Sequence, residues 1–166
     1  MRSPCWRQLS YPYPDGTREY VREVEAKLPP NDWRKNNLRG PSTATPDLDD
    51  CDILDGARTK MAIEDLRRLG KQSESFFLAM GYIHPHLAWV APKKFWDKHD
   101  PDKLPVLRDE RITPGTPSFA LHNNSELTHH VDLIDLPAPW EEETLSTDRA
   151  RHLMHGYYAY VRNVDA

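Results

Sequence analysis

Proline occurs fifteen times in this 166-residue chain and glycine only seven, and the prolines are spread through connecting segments rather than gathered in one tract. Each proline fixes φ, removes a backbone donor and turns the preceding residue away from helix. A chain punctuated in this way folds into few regular elements joined by long, shaped loops. Its length is that of one domain, enough to bury a core without disulfides or metal.

The regular elements can be placed between these breaks. Residues 1–57 carry mostly turn chemistry, in YPYPDG, LPPNDW and RGPSTATPDLDDCDILDG, with one short helix or strand over 17–28; the region reads as largely irregular. From Arg58 to Lys71, the apolar residues Met61, Ile63, Leu66 and Leu69 recur at helical spacing, and Gly70 stands where a helix stops. Ser75 to Tyr82 is an apolar run with two phenylalanines and no interior charge, which predicts a strand buried on both faces. Helix followed by buried strand predicts an α/β fold. After His84-Pro85-His86 the sequence predicts a short helix near 92–97, then a proline-rich span to about Trp140. In the last element Ala150, Leu153, Met154, Tyr157, Tyr158, Val161 and Val164 mark one helical face, with Ser146 or Thr147 as N-cap. Residues 58–166 therefore read as helix, strand, loop and helix within one domain.

A net charge of −4 offers no electrostatic reason to expect nucleic acid or an acidic membrane as partner. Cys5 and Cys51 have neither C-x-x-C spacing nor the density of a disulfide framework. The segment MRSPCWRQLSYPYPDG is positively charged but has no apolar run long enough for a signal-peptide core, and no later stretch approaches a membrane span.

The most interesting loop is His84-Pro85-His86, which follows the predicted strand, where α/β scaffolds place ligand-binding groups. It reads either as a site or as a proline-shaped turn with one histidine meeting local hydrogen bonds; as a metal edge it lacks a clear third ligand. The acidic residues Asp47, Asp49, Asp50, Asp52 and Asp55 lack the D-x-D-x-D-G calcium-loop pattern and read as a solvated loop. His129-His130 and the pair His152 and His155 read as packing or surface, and Trp89, Phe95 and Trp96 as core. There is no glycine-rich phosphate loop, no G-x-S-x-G and no H-E-x-x-H.

Four stretches carry a resemblance: RGPSTATPDLDDCDILDGARTKMAIEDLRRL, SFFLAMGYIHPHLAWVAPKKFWDKHDPDKLPV, LHNNSELTHH and ARHLMHGYYAYVRNVDA. In that order they resemble the middle of sulfatases of the iduronate-2-sulfatase-like branch, over about residues 38 to 166. The resemblance implies an alkaline-phosphatase-like α/β sandwich, hydrolysis of sulfate esters by a formylglycine nucleophile, and a calcium cofactor. The family's Lys-Pro-His triplet matches His84-Pro85-His86, which implies that both histidines face substrate. His86 is similar to the histidine that contacts the sulfate ester and assists departure of the alcohol oxygen as general acid.

The departures shape the expectation. No C/S-x-P-x-R occurs; Ser10-Tyr11-Pro12-Tyr13-Pro14 comes nearest, with proline in place of arginine. The family's early metal pair follows an opening strand, whereas Asp49-Asp50 lies in a proline-rich loop, so metal ligation is not carried onto it. The later metal pair, in an Asp-His or Asp-Asn motif, is expected beyond Ala166. By resemblance the chain is the central piece of a sulfatase, inactive alone, with a sulfate ester or sulfated carbohydrate as ligand and the rest of the sulfatase domain as partner. It then exposes apolar surface at Tyr157, Tyr158 and Val161. The alternatives are a non-catalytic binder of sulfated glycans or a partner chain, and a related phosphate-ester hydrolase. Family members are often exported.

Overall fold

The structure, a computed structural model, describes residues 13–105, 112–122, 124–136 and 145–166. Cys5, Ser10 and Trp140 lie outside them.

Its centre is a pair of short parallel strands, β1 (Thr43–Ala44) and β2 (Trp89–Val90), in the register Thr43 with Trp89 and Ala44 with Val90. The pairing extends past both strands: Trp89 N–H donates to Ser42 O at 2.8 Å, and Lys93 N–H to Pro46 O at 3.0 Å. On its other side the same segment is tied to residues 129–132. Arg39 forms a parallel bridge with His130, and both the backbone N–H and hydroxyl of Ser42 donate to Asp132, at 2.8 and 2.6 Å. Residues 39–46 thus form a spine whose backbone groups are paired on both sides, as buried polar groups must be.

Among the described residues there are five α-helices. The first, α1 (Thr17–Lys27), lies in the region expected to be mainly irregular, at the place where a short element was predicted. The second, α2 (Leu54–Leu69), covers the predicted 58–71 helix but begins a turn earlier, and it ends at Gly70 as expected. Pro92 leads directly into α3 (Lys93–Trp96), and α4 (Ser125–Thr128) is a single turn. The last, α5 (Thr147–Val164), is capped by Ser146, whose hydroxyl accepts from Arg149 N–H at 3.3 Å.

Helix α5 packs on α3 and both strands, and the main core cluster is Ala91, Phe95, Trp96, Ala159 and Tyr160, with Trp89 against it. Phe95 and Trp96 are core residues, as the sequence predicts. The buried stripe of α5 runs through Leu153, Gly156, Ala159 and Tyr160, so of the predicted face Leu153 is buried, while Tyr157, Tyr158 and Val161 are exposed, as expected, together with Val164. The reason is close approach. A Cβ on Gly156 would stand 2.8 Å from Thr43 Cγ2 and 3.1 Å from Trp96 Cη2, so position 156 admits no side chain where α5 crosses β1 and α3.

The predicted strand at 75–82 does not form. That segment is extended and mostly exposed, with Phe77 91% accessible and Met80 and Tyr82 also at the surface. An unbroken apolar run signals cover on both faces, but a strand also needs neighbours to pair with. Among the described residues the paired strands are β1 and β2, and β2 comes after the histidine loop rather than before it. The result is a mixed helical structure with a small parallel sheet, α/β in broad class.

Substituting Gly156→Val should destabilise the fold by about 1–3 kcal/mol through overpacking against Thr43 and Trp96. Thermal unfolding would show this, with Tyr158→Ala on the same helix changing stability much less.

Candidate functional site

The loop between α2 and β2 is organised by one buried carboxylate. Asp55, in the first turn of α2, is 3% exposed, so it is not part of a solvated acidic loop as the sequence suggested. Its oxygens accept the backbone N–H groups of Ile83 at 2.9 Å and His84 at 2.9 Å, and the His84 ring Nδ1 as well. Arg58, one turn further along the helix, reaches Asp55 Oδ1 at 3.2 Å. Burial works against the Asp55 charge, but the donors from His84 and Ile83 outweigh it and hold the carboxyl below its ordinary range.

His84, expected on the substrate side with His86, is turned inward: its side chain is buried and its ring lies against Tyr160, 3.5 Å between centroids. Burial pushes its pKa down, with the Asp55 bond and charge only partly opposing this, so the ring is neutral and donates through Nδ1. His84 and Asp55 therefore clamp the start of the loop. Trp89 clamps the next residue, its Nε1–H donating to Pro85 O at 3.0 Å.

Between these clamps His86 is turned outward, with a half-exposed side chain. It lines a cavity of about 970 Å³ together with Tyr13, Gly16, Arg39, Ala88 and His130. His86 Nδ1 bonds the Leu87 carbonyl at 2.6 Å, and Nε2 lies 3.1 Å from Glu126 Oε1. Both ring nitrogens thus face acceptors. Arg39 Nη1 donates to the same Glu126 oxygen at 3.3 Å.

His130, 1% exposed, donates from Nδ1 to Gly40 O at 2.8 Å, and its Nε2 has no partner among the described residues. Burial lowers its pKa, with the Gly40 bond partly opposing. Three further histidines, read from the sequence as packing or surface, make local contacts: His129 stands edge-on to Trp33, the exposed His152 bonds Thr43 Oγ1 at 2.8 Å and His155 bonds Trp96 O at 2.9 Å. Among the described residues no three His, Cys, Asp or Glu side chains gather as a metal site. Asp47, Asp49 and Asp52 line a second cavity with Lys93 and Lys94, Asp50 pairs with Lys94 at 2.7 Å, and Asp55 holds the histidine loop. With two lysines among them, these carboxylates do not fit a calcium ion.

Sequence reasoning missed Arg39 and Glu126, because no spacing rule joins positions 39, 86 and 126. Asp55 had a faint signal, an acid in a helical first turn followed by a basic residue at i+3.

The histidine loop, Arg39 and the cavity, which Asp15, Arg18 and Glu19 also line, form the candidate site, and comparison with known proteins finds distant similarity to sulfatases. Human iduronate 2-sulfatase is 23% identical to the chain over 154 residues, covering 93% of this chain and 28% of the relative. Mouse iduronate 2-sulfatase is 24% identical over 119 residues, covering 72% of this chain and 22% of the relative. These similarities support a distant sulfatase-like origin, and the chain spans less than a third of the length of the curated relatives it matches. No family model matches the chain.

Two outcomes follow from the clamp. Asp55→Ala leaves three donors without an acceptor, the two on His84 buried, and should cost about 2 kcal/mol, measured by chemical denaturation. The second concerns pH. The folded chain holds His84 and His130 neutral, whereas in the unfolded chain each binds a proton near pH 6.5. The unfolded state then carries more bound protons below that value, so stability falls as pH is lowered from about 7 to 5. Asp55, depressed in the fold, extends the loss in the same direction as pH falls through its ordinary value of 3.8 and below. A melting temperature that stays flat from pH 7.5 to 5 would contradict this account.

Proposed function

We propose that this chain is the substrate-side portion of a sulfuric ester hydrolase of the iduronate-2-sulfatase-like type, within an alkaline-phosphatase-like α/β sandwich. The observation that carries the reading is His86: it sits on the loop matching the family's Lys-Pro-His, it is turned outward by two clamps, and it lines the cavity. In this reading His86 contacts the sulfate ester and donates a proton to the departing alcohol oxygen. His84 serves by holding the loop rather than by touching substrate. Calcium belongs to the proposal as the cofactor of the complete enzyme, with ligands other than the described residues. The ligand is a sulfate ester, and a sulfated carbohydrate suits a cavity of about 970 Å³.

The sequence holds no C/S-x-P-x-R, so this chain by itself has no residue convertible to formylglycine within that motif. Binding is therefore the property to measure. By calorimetric titration, galactose 6-sulfate should bind at least about tenfold more tightly than galactose, and His86→Ala should remove that preference. Equal affinity for the two sugars, or a preference that survives His86→Ala, would sink the reading. Turnover of an aryl sulfate by this chain alone would overturn its assignment as a portion without the nucleophile.

A further inference from the structure

We infer that Arg39 and His86 form a two-point seat for the sulfate group, and that Glu126 fills this seat as an internal anion which the ligand displaces. The inference rests on the proposed reading of His86 and adds the second binding residue and the group that competes with substrate.

The geometry is that of an oxyanion held by two donors. One oxygen, Glu126 Oε1, lies 3.1 Å from His86 Nε2 and 3.3 Å from Arg39 Nη1. Three residues far apart in sequence converge on that point, and the fold fixes how they do so. The backbone N–H of Arg39 donates to His129 O at 2.8 Å, and Val131 N–H donates to Arg39 O at 3.3 Å. The segment so tied directly follows α4, which carries Glu126. The same lacing therefore places the arginine and the glutamate together, while the Asp55 clamp delivers His86 from the other side.

The seat opens to a ligand. Arg39 and His86 both line the cavity, and the three side chains are 51%, 55% and 41% exposed for Arg39, His86 and Glu126. Ion pairs at that exposure are weak, so an incoming anion loses little by displacing the carboxylate. A sulfate monoester is better suited to the two donors than a carboxylate, because its three terminal oxygens can meet the guanidinium and the imidazole separately. Its alcohol portion then extends into the cavity that these residues line. Arg39 is a binding residue in this scheme, and Glu126 sets the threshold that a ligand must exceed.

The test measures inorganic sulfate, galactose 6-sulfate and galactose by calorimetry against the parent chain and three variants, Arg39→Gln, Glu126→Gln and the double variant. The side chains are half exposed, so the variants should keep the parent's melting behaviour, checked by circular dichroism. Glu126→Gln should tighten both sulfate and the sulfated sugar by about two- to fivefold. Arg39→Gln should weaken both by about fivefold or more, leave galactose unchanged, and shrink the benefit of Glu126→Gln in the double variant. Unaltered or weaker sulfate binding by Glu126→Gln, or unaltered binding by Arg39→Gln, overturns the seat. If His86→Ala abolishes binding while the Arg39 and Glu126 variants match the parent, the seat fails and the proposed function stands. If neither the parent nor Glu126→Gln binds the sulfated sugar, both fail.

Discussion

The double pairing of residues 39–46 is the constraint on which the rest of the structure depends. In a chain with this much proline, few segments are hydrogen-bonded on two sides at once, and this one is, even though Pro41 and Pro46 have no N–H to donate. Trp89, Ala91 and Lys93 take its carbonyls on one flank, while Asp132, His129 and Val131 engage it on the other. Pairing over such sequence distances also costs loop-closure entropy, which the core formed by α3 and α5 offsets. The spine therefore decides where α5 can lie, and through Thr43 it decides that Gly156 faces inward.

The candidate site follows from the spine and one buried acid. Burying a carboxylate is costly unless its lone pairs are filled, and Asp55 fills them with the backbone N–H groups and ring of a single loop. That satisfaction leaves the loop little freedom. His84 is held inside against Tyr160, Pro85 is held by Trp89, and His86 has only the outward direction left. A pair of histidines flanking one proline is thus divided into a structural member and an exposed one by which acceptor lies within reach.

The relation to the sulfatases is distant in identity yet covers nearly all of this chain. The region that departs most from its sequence signal, Ser75 to Tyr82, is informative in this light. Its phenylalanines read as a strand covered on both faces, whereas the described residues bring it no paired neighbour. An apolar pattern records how much cover a segment calls for, and cannot show which segment supplies it.

Local chemistry was legible from the sequence wherever short-range rules apply. Gly70 ends α2, Pro92 introduces α3, Ser146 caps α5, and Phe95 and Trp96 are core because apolar residues near a helix start have little else to do. The histidine loop stood out because two titratable rings around a proline are conspicuous, and the sulfatase resemblance attached to the same residues. Tertiary structure alone decided the rest. Which α5 face is buried depended on the close approach at Gly156, with the large Tyr160 on the same face. Which histidine points outward depended on a carboxylate twenty-nine residues away from His84. The meeting of Arg39, His86 and Glu126 depended on pairing between segments with no periodic relation to one another. Helix caps and turns act over three or four residues and so are written in order along the chain; a site acts through space, and its members are known only when the backbone has closed around them.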